Sequence, residues 1–155
     1  SVDPGEDMGW CVLDSDGTVL IGGVETIKKT DDFLYRTRVF VAEVLEHSGA
    51  DRLCVEWPRI YPGRSRKVDP NRIMSLAGRA AAAASTHPVL NFYLPQEWTG
   101  KIPKDVRHSR LLLRDDLLVG SVYQGTLKKS HNYLDAVGLG LYCLRDLGLL
   151  RRSQR

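Results

Sequence analysis

The alternating stretch GWCVLDSDGTVLIGGV, residues 9–24, is interrupted once by DSDG. Two apolar runs joined by such a turn predict an antiparallel hairpin, with strands near 9–14 and 18–24. After KKT the period changes. Thr30 is placed to cap a helix with Asp31 and Asp32 in its first turn, and Phe33, Thr37, Phe40, Val41, Val44 and Leu45 recur at helical spacing until HSG. RLCVE, 52–56, is continuously apolar up to its glutamate and reads as a short buried strand; WPRIYPGRSRKVDP then reads as a loop. A helix is predicted after Pro70 through NRIMSLAGRAAAAAS, a buried strand at VLNFYL, a loop at PQEWTGKI, and a helix over PKDVRHSRLLLRDDLL with Pro103 near its first turn. The last helix starts near Ser130 and runs through HNYLDAVGLGLYCLRDL. A leading SV too short to hold a strand by itself suggests residues before Ser1. Hairpin strands followed by alternating strand and helix predict an α/β fold, a mixed five-stranded sheet with helices on both faces.

At 155 residues the chain suits one domain spanning 1–155, so any active site has to be built within one fold. No apolar run reaches the roughly 18 residues a membrane span needs, which makes the cytoplasm the expected location and a membrane partner unexpected. Cys11, Cys54 and Cys143 each sit in an apolar stretch without CxxC spacing, as reduced core thiols do. The net charge of +3 is small but unevenly spread. Acids gather early, at Asp3, Glu6, Asp7, Asp14 and Asp16. Bases gather later, in RIYPGRSRK, GKIPKDVRHSR, LKKSH and LLRRSQR, and a distribution of that kind is what an anionic polymer would sense.

In an open α/β sheet ligands lie beyond the carboxyl ends of the strands. Asp3 ends the first strand and Glu56 ends LCVE; a carboxylate there costs desolvation unless it is paired, hydrogen-bonded to loop amides, or bound to a cation. The last helix offers His131, Asn132 and Asp135 at i, i+1 and i+4, either as ligands or, for the first two, as exposed capping residues. Gly138 and Gly140 in its interior suggest that another backbone passes close by, which would press Asp135 against the sheet. If Asp3, Glu56 and Asp135 converge, oxygen ligands favour Mg²⁺ or Mn²⁺ over zinc, and two such ions per site support phosphodiester hydrolysis.

The order VDPG, then CVE at a strand end, then HNYLDAVGLGLY in a late helix resembles the RuvC family of Holliday junction resolvases, within the ribonuclease H-like superfamily. The stretch EWTGKIPKDVRH is similar to short bacteriophage members. The resemblance implies a homodimer that binds a four-way DNA junction and nicks two strands symmetrically in DNA recombination and repair, with Mg²⁺ or Mn²⁺ in each active site. By position it implies Asp3 as the ligand able to touch both ions, with Glu56 and Asp135 as further ligands. The family's fourth ligand, Asp or His, falls on Asn132 here; His131 next to it is the favoured candidate, because imidazole binds divalent ions better than an amide. It also implies that a lysine between Lys101 and Lys104 assists catalysis, and that an aromatic residue after the glutamate, Trp57 or Tyr61, stacks on a base near the crossover.

Arg59, Arg64, Arg66 and Lys67 in the Pro/Gly loop, together with Lys101, Lys104 and Arg107 at the start of a helix, are the candidates for DNA-backbone contact. The run Ala80 to Ala84 suits either close packing on the sheet or a meeting with a symmetry mate. Two other readings keep the fold: a branched-DNA or flap nuclease of loose selectivity, and a DNA-binding protein with a degenerate metal site. An actin-like nucleotide-binding fold needs more chain than this.

Overall fold

The computed structural model describes residues 1–58, 69–113, 123–124 and 130–150. Its sheet runs β1 (Val2–Asp3), β2 (Asp7–Leu13), β3 (Val19–Thr26), β4 (Leu53–Glu56), β5 (Leu90–Tyr93) and β6 (Tyr123–Gln124), in the order β5-β4-β1-β2-β3-β6. The helices are α1 (Phe33–Ser48), α2 (Pro70–Ala84), α3 (Pro95–Thr99), α4 (Lys104–Leu112) and α5 (Ser130–Asp146). The five expected strands are present, and β1, β2 and β3 form the antiparallel part while β4 and β5 run parallel to β1. The two-residue β6, parallel to β3, is an addition that the chain's hydrophobic pattern did not indicate.

Period-two alternation sorts the strand side chains between two helical layers. Val2, Met8, Trp10, Val12, Leu53 and Val55 face one way, into a core with Val41 of α1 and Ala80 and Ala83 of α2. Cys11 faces the other way, onto Tyr133, Val137 and Leu141 of α5, and Cys54 packs with Leu139 and Cys143. The cysteines are thus buried free thiols, as expected. Of the alanine run, Ala80 and Ala83 are fully buried against this core, whereas Ala81 is exposed. Among the described residues no helix is long and apolar enough to cross a membrane.

Local chemistry explains the element boundaries. Asp14 Oδ1 accepts from the backbone N–H of Asp16 and Thr18, and Gly17 takes a φ of 81°, which closes the β2–β3 hairpin. The Asp69 side chain accepts from the N–H of Asn71 and Pro70 fills the first turn, so α2 starts where expected. Thr30 is not the cap of α1. Its hydroxyl donates to Asp32 Oδ1 at 2.6 Å in a turn, and the helix begins only at Phe33, leaving both aspartates outside its first turn. The segment expected as the loop PQEWTGKI contains α3, whose start is fixed by the Glu97 carboxylate accepting from Leu94 N–H at 2.5 Å.

β1 is as short as expected. Its register sets Val2 opposite both Val55 and Trp10, and a cavity of about 520 Å³ is lined by Ser1, Val12, Leu13, Leu53, Phe40 and Leu144.

Candidate metal and nucleic-acid site

Since Val2 faces the α1/α2 core, its neighbour Asp3 must face α5; Glu56, two residues after Cys54, does the same. Val2 is level with Val55, so the two acids stand side by side at the carboxyl ends of adjacent parallel strands. Directly across from Asp3 on β2 is Gly9. A Cβ at Gly9 would collide with the carbonyl of Asn132, so this glycine is what lets the start of α5 settle on the sheet and brings Asp135 to the two acids. The close backbone approach expected at Gly138 and Gly140 occurs here instead. Those two glycines receive side chains: Trp98 at Gly138, and Leu13 and Ser1 at Gly140.

The electrostatics record the convergence. Burial first, then the charges of Glu56 and Asp135, push the Asp3 carboxyl up to about 8, with Lys104 pulling the other way. Glu56 is also raised, by burial and by Asp135, against the opposing pull of its hydrogen bond from Trp98 and of Arg107 and Lys104. Asp135, only 6 % exposed, is held by three residues of α4: Lys104 Nζ at 2.5 Å from Oδ2, His108 Nε2 at 2.9 Å from Oδ1, and Arg107 Nη1 at 3.5 Å from Oδ1. Trp98 Nε1 donates to Glu56 Oε2 at 2.7 Å.

These partners decide how far the site is ready for a cation. Among the described residues no three His, Cys, Asp or Glu side chains are arranged to hold a metal ion as they stand, and Asp135 is turned onto α4. In chemistry the donor set nevertheless fits a hard divalent cation. It consists of carboxylate oxygens on two strand ends and one helix, and Asp3 is driven toward its neutral form by burial and then by the negative charges beside it. A divalent ion would supply the positive charge that a proton on Asp3 and the α4 side chains supply now.

Asn132 and His131 separate clearly. Asn132 Nδ2 donates to the Asp7 carbonyl at 2.8 Å, and the residue lines, with Asp3, Glu6, Asp7, Arg72 and Arg79, a cavity of about 660 Å³. His131 is exposed and is not part of that lining. The structure therefore brings Asn132, and not the favoured His131, to the Asp3 side of the site. The two differ by one position, a step of about 100° around α5, which turns Asn132 to the cavity and leaves His131 exposed at the start of the helix.

Among the basic candidates, Lys101 is exposed and Lys104 half-exposed. Arg107 differs from expectation: its side chain is only 15 % exposed, lies over the Trp98 ring at 4.6 Å and reaches Asp135, so it serves the acids and is not a free hand for DNA. Trp57 packs edge-on against Phe92 at 5.1 Å and joins the core cluster. Arg59, Tyr61, Arg64, Arg66 and Lys67 lie outside the described residues. Two site residues, His108 and Trp98, escaped the sequence reading. Lys104, Arg107 and His108 at i, i+3 and i+4 form one helix face, a pattern present in KDVRH that only the placement of Asp135 makes meaningful.

Comparison with solved structures finds the same fold in Thermus thermophilus RuvC. The complex with a Holliday junction substrate matches with a TM-score of 0.65 and 19% identity over 95% of this chain and 92% of that one. A further Thermus thermophilus RuvC structure matches with a TM-score of 0.60 and 18% identity over 96% of this chain and 95% of that one. No protein-family model matches the sequence. No curated protein matches it either.

Proposed function

We propose that this chain is a divalent-metal-dependent endonuclease of the RuvC type, that its substrate is the four-way DNA junction, and that a homodimer cuts two strands in a paired reaction. The observation that carries the reading is the meeting of Asp3, Glu56 and Asp135 at one end of the sheet, each within the electrostatic reach of the others. Likeness of fold to Thermus thermophilus RuvC in complex with Holliday junction substrate supports the substrate class.

In this reading Asp3, Glu56 and Asp135 would hold Mg²⁺ or Mn²⁺, with Asn132 on the Asp3 side as a neutral oxygen donor. Such ions polarise a phosphodiester and lower the pKa of bound water. Asp3 feels the charges of both other acids and is the residue whose ionisation the site must secure. Lys104, half in solvent and half on Asp135, is the cation placed to follow a DNA phosphate once released from the carboxylate. Lys101, with Arg59, Arg64, Arg66 and Lys67, would track the backbone without reading sequence, so binding should weaken steeply with salt.

The test is strand-resolved cleavage of synthetic four-way, flap and Y-shaped DNA with Mg²⁺ or Mn²⁺. Symmetric nicks in the four-way junction, lost in Asp3→Asn while junction binding persists, are expected. Equal rates on all three substrates would replace the reading with a branched-DNA nuclease. Junction binding without nicking under either ion would leave a DNA-binding protein.

A further inference from the structure

Resting on that reading, we infer that Trp98 is a positioning residue for Glu56: its indole N–H takes Oε2 and leaves Oε1 as the oxygen that would meet a divalent cation. The bond is 2.7 Å long and partly buried. An indole can donate but cannot accept, so the arrangement has one polarity and the two carboxylate oxygens are not interchangeable.

Trp98 is itself held on several sides. It sits in α3, whose first turn Glu97 ties down through Leu94 N–H. The face of its ring carries the Arg107 guanidinium, 4.6 Å from guanidinium carbon to ring centre. Its edge lies against Gly138 of α5, where a Cβ would approach Cζ3 to 3.0 Å. Arg107 continues the chain of contacts to Asp135 Oδ1, while its Nε is buried without a partner among the described residues. Glu56, Trp98, Arg107 and Asp135 thus form a continuous link from β4 to α5 that passes behind the carboxylates.

The link explains two otherwise separate sequence features. Gly138 is small because the indole occupies the space a side chain would need. Arg107, which looks like a DNA contact in the sequence, is turned inward because it is sandwiched between Trp98 and Asp135. Hydrogen bonds from behind a metal ligand fix its orientation in advance, and removing one typically costs about 10–100-fold in metal affinity.

The test is Mn²⁺ titration of the full chain by calorimetry, with thermal unfolding in parallel. Trp98→Phe keeps a ring for Arg107 and Gly138 but loses the donor; its Mn²⁺ affinity is expected to fall about 10–100-fold. Trp98→His returns a ring N–H in the equivalent place, since the five-membered ring carries Nε2 where indole carries Nε1, and it should recover most of that loss. If Trp98→Phe binds Mn²⁺ as the unmodified chain does while Asp3→Asn does not bind it, the inference fails and the metal-nuclease reading stands. If Asp3→Asn binds as well as the unmodified chain, the reading fails and takes the inference with it. Should Trp98→Phe lose its thermal transition, Trp98→His decides alone, and a tenfold or greater loss of affinity in that variant overturns the role assigned to the N–H.

Discussion

Nζ of Lys104 lies 2.5 Å from Oδ2 of Asp135, so an ammonium group stands where a cation would have to bind that carboxylate. The lysine is half-exposed, and buried Asp135 keeps Arg107 and His108 as partners without it, so the pair contributes little to folding, about 1 kcal/mol or less. Lys104→Ala should therefore leave thermal stability almost unchanged. Removing the competing charge should tighten Mn²⁺ binding several-fold, whereas junction nicking should fall because the group placed to follow a phosphate is gone. Calorimetry and cleavage on the same preparation check both signs. Weaker Mn²⁺ binding in Lys104→Ala would mean that the lysine organises the acids instead of competing for them.

The raised Asp3 carboxyl makes a pH prediction. Burial and the neighbouring acids push the Asp3 carboxyl up to about 8 in the folded chain, whereas the unfolded chain releases its proton near the ordinary value of 3.8. Between those limits the folded state binds the extra proton, so its contribution to stability is complete below the lower limit and declines as pH rises toward the upper one. The slope is on the order of 1 kcal/mol per pH unit at most. Thermal unfolding without metal should show this decline between roughly pH 4 and 8, and Asp3→Asn, which has no proton to lose, should flatten it. Mn²⁺ competes with the same proton, so the stabilisation it gives should grow across that interval. A profile equally steep in Asp3→Asn would assign the dependence to other groups.

The outline of the fold was legible because strand parity and helix period leave few choices. In DMGWCVL every second residue belongs to the α1/α2 core, and the position of Asp3 follows from that of Val2 by one step. The meeting of Asp3 with Glu56 was equally readable, given two parallel strands ending in acids. What the sequence left open depended on tertiary packing. Gly9 looks like an ordinary strand residue until the Asn132 carbonyl is found against it. Trp98 reads as part of a polar loop, and only its place between Arg107, Gly138 and Glu56 gives it a task. The choice between His131 and Asn132 rested on ligand strength, but the rotation of α5 on the sheet decides which side chain reaches the cavity.

That rotation supplies the last prediction. Asn132 lines the cavity with Asp3 and donates to the Asp7 carbonyl, while His131 faces outward. His131→Ala should change stability by no more than about 0.5 kcal/mol, as surface substitutions do, and leave Mn²⁺ affinity intact. Asn132→Asp sets two effects against each other. Without metal it removes the donor to Asp7 and adds a negative charge near Asp3, so the chain should lose about 1–3 kcal/mol of stability. With Mn²⁺ the added carboxylate becomes a stronger ligand than the amide, and affinity should rise by about tenfold, since ligand charge sets the strength of such sites. Unfolding curves with and without Mn²⁺ should therefore cross: Asn132→Asp below the unmodified chain in the absence of the ion and closing on it or passing it in excess. A variant that is destabilised equally in both conditions would place residue 132 outside the ligand set and return the choice to His131.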